Sequence, residues 1–425
     1  MTGFDSTGRG MDRRGFLSLA AKTAVGLSVF SRMPEAFAGG SAVASGKLRS
    51  IIVLYMAGGA SQFETFDPKP GKATGGQFRG IKTSIPGVQF SELLPGLAKE
   101  AKDLSVLRAM STKEGNHRRA AYLMRTGYSP AGPVQHPSLG ALIARYRGKA
   151  DFPLPSFVSI NGASVGGGFL GVEYSPFVVQ NPGKPVANLK KPGSVDRGRF
   201  KRRWKLLEAV EKRFAEGRRD DLVEGHRKVY EQAERFMHSK QAVAFDIQQE
   251  PDKLRAAYGQ NAFGQGCLMA RRLVETGVPF VEVTLGGWDT HRDNFNKTKE
   301  LCGRLDPGFS TLVRDLRDRK LLDSTLIVWT GDFGRTPRIN GNDGRDHFPR
   351  AWTTVLAGGG VGKGVVVGQT GPSGGDPKGR VVKAADLFTT IGQLAGLDGS
   401  VENISKAGRP IRVLDKDGSP IKEIL

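Results

Sequence analysis

Short apolar runs that end in glycine or a turn residue recur along the chain, and they predict the strands of a β-sheet. Within each run the apolar residues follow one another without the alternation of a half-exposed strand. Such uninterrupted runs are typical of parallel strands that are covered on both faces. The runs span residues 51–56, 104–107, 280–284, 326–330 and 352–356.

Between these runs, apolar residues recur every three to four positions, which predicts helices. Strands that alternate with helices favour an α/β sheet with crossover helices. The helical segments are 120–125, 138–147, 262–276, 295–320 and 384–394.

Residues 196–258 differ from the rest of the chain because they are charged, poor in glycine and helical in pattern. Gly217 separates two such stretches, so we predict a helical hairpin inserted into the α/β domain. The hairpin starts with six Lys or Arg among residues 197–205. This basic run is either an anion-binding or membrane-facing edge, or a solvated face balanced by nearby acids. The sequence alone favours the solvated face.

The first 38 residues have the pattern of an export signal of the twin-arginine type. Arg13 and Arg14 precede Phe16, a weakly apolar stretch follows, and residues 36–38 form an Ala-Phe-Ala cleavage site. We expect the twin-arginine translocase to export the chain, and the mature protein to be periplasmic or secreted. Residues 39–425 are then a single α/β domain that carries the insertion, with no run long enough to span a membrane.

The balance of charge is strongly basic, with 63 Lys and Arg against 42 Asp and Glu and a formal net charge of +21. The signal segment contributes +2 of this, so +19 belongs to the mature chain. Such a surface suits an anionic envelope or an anionic substrate. Because export separates the protein from the chromosome, we expect no nucleic-acid partner. Two cysteines exclude a disulfide scaffold.

Polar residues that follow the predicted strands are the candidates for chemistry, because ligands of open α/β sheets bind at the carboxyl ends of the strands. Carboxylates and imidazoles at one edge are typical of a metal site. We expect a divalent ion, Zn, Ca, Mg or Mn, that activates a water or hydroxyl. The candidate ligands are Asp289, His291, Asp332, Asp346 and His347, with Glu64 as a further candidate.

Four further residues are candidates for catalysis or substrate binding: Asn116, His117, Arg118 and Arg335. Asn116 suits the N-cap of the predicted helix that follows it, and a helix N-terminus favours anions. The two arginines could hold the oxygens of a tetrahedral anion.

Several motifs together resemble the domain-of-unknown-function 1501 family, over about residues 48–415. That family is grouped with the alkaline phosphatase/sulfatase superfamily. The resemblance implies a three-layer α/β/α sandwich with a mostly parallel sheet, alkaline phosphatase-like, with one or two metals. The motifs are residues 58–70, Asn116-His117, 287–291, 332–337 and 344–347.

The sequence departs from the wider superfamily at three places. The metal-binding Asp usual at the end of the first strand is absent, and Glu64 is the candidate substitute. Phe333 replaces the His of a Thr-x-Asp-His-Gly motif, and the place of the usual nucleophile, near Asn116 and His117, has no Ser, Thr or Cys. Our hypothesis is therefore an exported metal-dependent hydrolase of phosphate or sulfate esters that attacks through metal-bound water. The alternative is a catalytically degenerate relative that binds an anionic glycan or an envelope partner.

Overall fold

The computed structural model describes residues 48–187, 189, 196–216, 220–405 and 408–425, all within one compact unit, Val43–Leu425. The predicted export signal, residues 1–38, and Gly217 lie outside the described residues.

The described strands form one large sheet and four two-stranded ladders. They are β1 (Ser50–Ala57), β2 (Gly80–Lys82), β3 (Gln89–Ser91), β4 (Leu104–Met110), β5 (Phe157–Ile160), β6 (Phe177–Val179), β7 (Phe280–Gly286), β8 (Thr325–Gly331), β9 (Gly334–Ile339), β10 (Arg345–Phe348), β11 (Trp352–Ala357), β12 (Val365–Val367), β13 (Gln369–Thr370), β14 (Pro377–Lys378), β15 (Glu402–Ile404) and β16 (Pro410–Arg412).

The large sheet has eight strands in the order β12-β4-β11-β8-β1-β7-β5-β6. Strand β1 pairs in parallel with β7 and β8, whereas β11 runs antiparallel to both β8 and β4. The mixed α/β class with a mostly parallel sheet, predicted from the sequence, is confirmed. The five predicted runs fall in β1, β4, β7, β8 and β11.

The residues of β1 alternate between two hydrophobic cores, one on each face of the sheet. Ile52, Leu54 and Met56 pack into one core, while Ile51 and Val53 pack into the other. This burial on both faces is the physical reason that the strand is apolar without alternation.

Helices cover both faces. Helices α1, α7 and α8 contribute to the core that contains Leu54, and α2, α3 and α9 contribute to the opposite core. In the described part of the chain, no helix is long and apolar enough to cross a membrane. The helices are α1 (Pro95–Glu100), α2 (His117–Thr126), α3 (Leu139–Arg147), α4 (Arg197–Ala215), α5 (Asp220–His238), α6 (Asp252–Tyr258), α7 (Ala262–Glu275), α8 (Asn294–Asp318) and α9 (Ala384–Leu394).

The loops that follow β1, β4, β7 and β8 meet at one edge of the sheet, because these strands point the same way. After β1 the chain turns at Gly58, whose φ is +104°, a backbone conformation that favours glycine. A Cβ at Gly58 would lie 2.6 Å from the backbone nitrogen of Asp289. The β1 and β7 loops therefore touch backbone to backbone at this edge.

Candidate metal centre

One carboxylate oxygen, Oδ1 of Asp289, lies at the centre of a cluster of histidines. The Nε2 atoms of His117, His291 and His347 lie 3.2, 3.1 and 3.3 Å from it. The Nη2 atom of Arg335 donates to the same oxygen at 2.7 Å. The ligand atoms of His117, Asp289 and His347 all lie within 4.8 Å of one another, and His291 joins this group through its contacts with Asp289 and His347.

These residues come from three separated parts of the chain. Asp289 and His291 lie in the loop after β7, and His117 is the first residue of α2. His347 lies in β10, where it pairs with Arg335 of the neighbouring strand β9. The short β9–β10 ladder therefore places a ligand candidate and its neighbouring cation side by side.

The opposite ring nitrogen of each histidine is held by an acceptor. Nδ1 of His117 lies 2.8 Å from Oδ2 of Asp332, and Nδ1 of His291 lies 2.8 Å from Oδ1 of Asp346. Nδ1 of His347 lies 2.9 Å from the carbonyl oxygen of Gly115. Because carbonyl and ionised carboxylate oxygens only accept, the proton of each neutral ring sits on Nδ1 and Nε2 carries a lone pair. Metal-binding histidines are held in this way.

In neutral rings these lone pairs face one another and an anionic oxygen, and a proton or a metal cation between them removes the conflict. Nε2 of His291 and Nε2 of His347 are only 2.9 Å apart, so two acceptors face each other. Nε2 of His117 is buried and lies 3.2 Å from Oδ1 of Asp289. A proton on His347 would relieve the conflict, but burial lowers the pKa of this ring, and His117 and Arg335 lower it further. The donor set therefore fits a bound metal ion.

Asp289 is ionised at neutral pH. Burial alone would raise the pKa of its carboxyl group, but the hydrogen bonds and charges of Arg335 and His117 outweigh burial and lower it to about 2. Arg335 is itself fully buried. Besides Asp289, it donates to the carbonyl oxygens of Gly58, Gly59 and Arg345. Its donors are thus used to fix the carboxylate and the surrounding loops.

Asp332 lies behind His117 and is held from two sides. The hydroxyl of Tyr55 donates to its Oδ1, and the amide of Gly58 donates to its Oδ2 at 2.9 Å. Tyr55 is fully buried in β1, and the guanidinium of Arg125 lies 3.6 Å from the centre of its ring. The hydrogen bond to Asp332 in turn raises the pKa of His117, against the lowering by burial.

Comparison with known proteins assigns the chain to a family. Residues 48–425 match the family model described as "Protein of unknown function (DUF1501)". The chain belongs to the DUF1501 family. No match to the DUF1501 chain is found among curated proteins.

Solved structures similar to the DUF1501 chain share little sequence with it. The lipoteichoic acid synthase LtaP from Listeria monocytogenes is 10% identical, with a TM-score of 0.40, over 91% of this chain and 78% of that one. The PsFucS1 sulfatase from Pseudoalteromonas sp. is 14% identical, with a TM-score of 0.39, over 83% of this chain and 69% of that one. The C-terminal periplasmic domain of EcEptC from Escherichia coli, a complex with Zn, is 11% identical, with a TM-score of 0.39, over 90% and 94%.

In the structure of the DUF1501 chain, several residues make contacts that differ from the roles predicted from the sequence. His117, predicted to act in catalysis or substrate binding, lies among the candidate ligands. Asp332 and Asp346, predicted as ligands, each lie within hydrogen-bond distance of the far nitrogen of a histidine, and their binding of metal stays a prediction. Glu64 is fully buried in an ion pair with Arg345, 2.7 Å apart, and makes no contact with the histidine cluster.

The residues predicted to bind an anion lie in different environments and do not form one site. Asn116 is the N-cap of α2, where its Oδ1 accepts from the amide of Arg119 at 3.3 Å. Arg335 is committed to Asp289 and carbonyl oxygens, whereas Arg118 is exposed. Arg118 lines an open groove of about 1140 Å³ along α2, together with Tyr122 and His136.

Sequence reasoning did not assign Tyr55 or Gly115 to the site. Tyr55 lies inside an apolar run, so it has the pattern of a core residue. Gly115 contributes only a backbone carbonyl, which no side-chain pattern reveals. A buried tyrosine that needs a hydrogen-bond partner was the one available signal.

Proposed function

We propose that this protein is a metal-dependent hydrolase of phosphate or sulfate esters, with the metal held by His117, His291, His347 and Asp289. The observation that carries this proposal is the convergence of three imidazole lone pairs on one carboxylate. Each of the three rings is locked by an acceptor on its far nitrogen.

The donor set favours zinc among the ions expected from the sequence. Imidazole nitrogens suit zinc, whereas calcium and magnesium prefer shells made of oxygen. When bound, a divalent ion at this site would polarise an ester oxygen and lower the pKa of a nearby water.

The start of α2 provides a seat for the anionic part of a substrate. His117 is the first helical residue, so the first-turn amides next to it have no acceptor within the helix. Arg118, beside His117, is exposed. A tetrahedral phosphate or sulfate group would therefore meet a helix N-terminus and a guanidinium next to the candidate ligands.

The environment of the cluster supports water as the nucleophile. Among the described side chains that hydrogen-bond to Asp289 or to the three histidines, none is Ser, Thr or Cys. Arg335 keeps Asp289 ionised and fixed, and Asp332 and Asp346 orient the rings. These residues position the site without forming a covalent bond to the substrate.

We further propose that the enzyme works outside the cytoplasm. The twin-arginine pattern of residues 1–38 supports this proposal. Replacing Arg13 and Arg14 by Lys should leave the chain in the cytoplasm, whereas retained export would contradict it.

Metal analysis combined with turnover tests the proposed function. We expect the purified chain to hold zinc and to hydrolyse aryl phosphate or aryl sulfate esters. His347→Ala and Asp289→Ala should lose both metal and turnover. His238→Ala, at an exposed histidine of α5 outside the cluster, is the control and should keep both.

Two outcomes oppose the proposal. Absence of metal after incubation with zinc and manganese would contradict the metal centre. Bound metal without turnover of either ester class would instead favour the alternative, a non-catalytic relative that binds an anionic glycan or an envelope partner.

A further inference from the structure

Helix α4 presents an exposed apolar row. Leu206, Val210 and Phe214 follow one another at four-residue spacing, which places them on one face of the helix. Their side chains are 67%, 57% and 57% exposed. Large apolar side chains exposed in a row mark a surface that contacts something apolar.

The opposite side of α4 faces α5. Phe200, Trp204 and Glu211 are half-buried and recur at the spacing of a helix face. The ring of Trp204 lies 6.1 Å from that of Tyr230, and Glu211 binds Nδ1 of His226 at 2.9 Å. The inner row therefore anchors α4 to the fold and fixes which row points outward.

Arginines continue and flank the apolar row. Arg199 and Arg203 extend it towards the start of the helix, and Arg202 and Arg213 lie at its edges. All four are exposed, and none forms an ion pair with the described residues.

The acids of α4 lie elsewhere on the helix. Glu208 is two residues from Val210 and thus on the far side of the helix, where it accepts a hydrogen bond from Nε1 of Trp204 at 2.9 Å. Glu211 is engaged with His226. The outward face of α4 is consequently apolar and cationic together, without an acid of its own.

We propose that this face of α4, the row of Leu206, Val210 and Phe214 with its four arginines, docks on the surface of an anionic lipid bilayer. An apolar row with cationic flanks is the pattern of helices that lie in a membrane interface. A second copy of the chain is disfavoured because it would bring arginines against arginines. A soluble anionic polymer would use the arginines but leave the apolar row exposed.

Vesicle binding by the full chain tests this proposal. We expect the protein to sediment with vesicles of phosphatidylcholine that contain phosphatidylglycerol, and not with pure phosphatidylcholine. Added salt should weaken binding, because part of the attraction is electrostatic. Leu206→Ser combined with Val210→Ser should weaken binding by about tenfold or more.

Two double variants with the same change in net charge distinguish binding through the outward face of α4 from attraction by the overall positive charge. Arg203→Glu with Arg213→Glu changes the outward face, while Lys205→Glu with Lys212→Glu makes the same change in charge on the other side of α4. We expect the first pair to abolish binding and the second to reduce it only modestly. Val243→Ser, at an exposed valine outside α4, controls for loss of an apolar side chain.

Because all these positions are exposed, thermal melting should show that every variant stays folded. Failure to bind anionic vesicles would overturn the proposal. So would equal losses from the two charge pairs, or vesicle binding that survives loss of the apolar row.

Discussion

Acceptors on the far side of three histidine rings orient the rings towards one carboxylate. Asp332, Asp346 and the carbonyl of Gly115 each lie within hydrogen-bond distance of one Nδ1, so the three Nε2 atoms face Oδ1 of Asp289. Imidazoles oriented in this way are prepared ligands. Removing a single hydroxyl or imidazole ring is therefore expected to change the metal affinity of the site.

Tyr55→Phe is expected to weaken zinc binding about tenfold, within the range seen when a partner of a metal-binding histidine is lost. The variant removes the hydroxyl that donates to Asp332 but keeps the ring beneath Arg125. A competition titration with a zinc chelator would measure the change. Tyr258→Phe removes another buried hydroxyl, one bonded to Asp315, and should leave zinc affinity unchanged. Equal affinity in the Tyr55 variant and the parent would contradict a role in positioning.

His136 is expected to make stability depend on pH. Burial lowers the pKa of this ring in the folded state, so below about pH 6.5 the unfolded chain binds the proton more readily. The free energy of unfolding should therefore fall as the pH drops from about 6.5 through the folded pKa of His136. His136→Gln should flatten this fall in urea titrations, and the exposed His238→Gln should not. A steeper fall in the His136 variant would contradict the sign.

Loops and short ladders, rather than single residues, bring the ligands together. The β9–β10 ladder carries Arg335 and His347 as a pair, and α2 begins at His117 because Asn116 caps it. The turn after β1 passes against the backbone of Asp289 at Gly58. The geometry of these elements decides whether the four ligand atoms meet.

Gly58→Ala is expected to destabilise the fold by about 3 kcal/mol and to lower zinc affinity. The added Cβ combines strain at a positive φ with a contact of 2.6 Å to the nitrogen of Asp289. Gly71→Ala is the matched control, since Gly71 also has a positive φ but nothing lies within 4 Å of its Cβ position. That variant should cost about 1 kcal/mol and keep its zinc. Urea unfolding and metal analysis of both would check this, and equal behaviour of the two variants would contradict it.

For the whole molecule, the sequence predicts the sheet better than the site. Strands such as β1 and β8 are buried on both faces, so their apolar runs are plain in the sequence. The short strands β5, β6 and β12 have only three or four residues, too few for a pattern. The direction of β11 leaves no trace in its composition, because β11 is as buried as β8, beside which it runs antiparallel.

The site could be predicted only as a collection of residues. The rule that strand ends meet at one edge selects Asp289, His291 and His347 correctly as neighbours. It cannot separate Asp332, which orients a ring, from His117, which presents a lone pair, because both follow strands. That distinction depends on the orientation of the His117 ring, whose Nδ1 faces Asp332 while its Nε2 faces Asp289. Glu64 follows β1 closely, yet the chain turns it inward to Arg345.

Some of the excess positive charge of the chain can be located on one surface of the structure. Part of the net charge of +21 lies on the outward face of α4. The molecule thus combines an acid-supported candidate metal centre with a cationic outer helix.

The most direct test of the metal centre is zinc K-edge X-ray absorption on the zinc-loaded full chain. The structure predicts one zinc with three imidazole nitrogens at about 2.0–2.1 Å and at least one oxygen. His347→Ala should lower the number of imidazoles in the shell or abolish zinc binding. A shell of oxygens alone, or a shell unchanged in that variant, would contradict the metal centre that the proposed hydrolase requires.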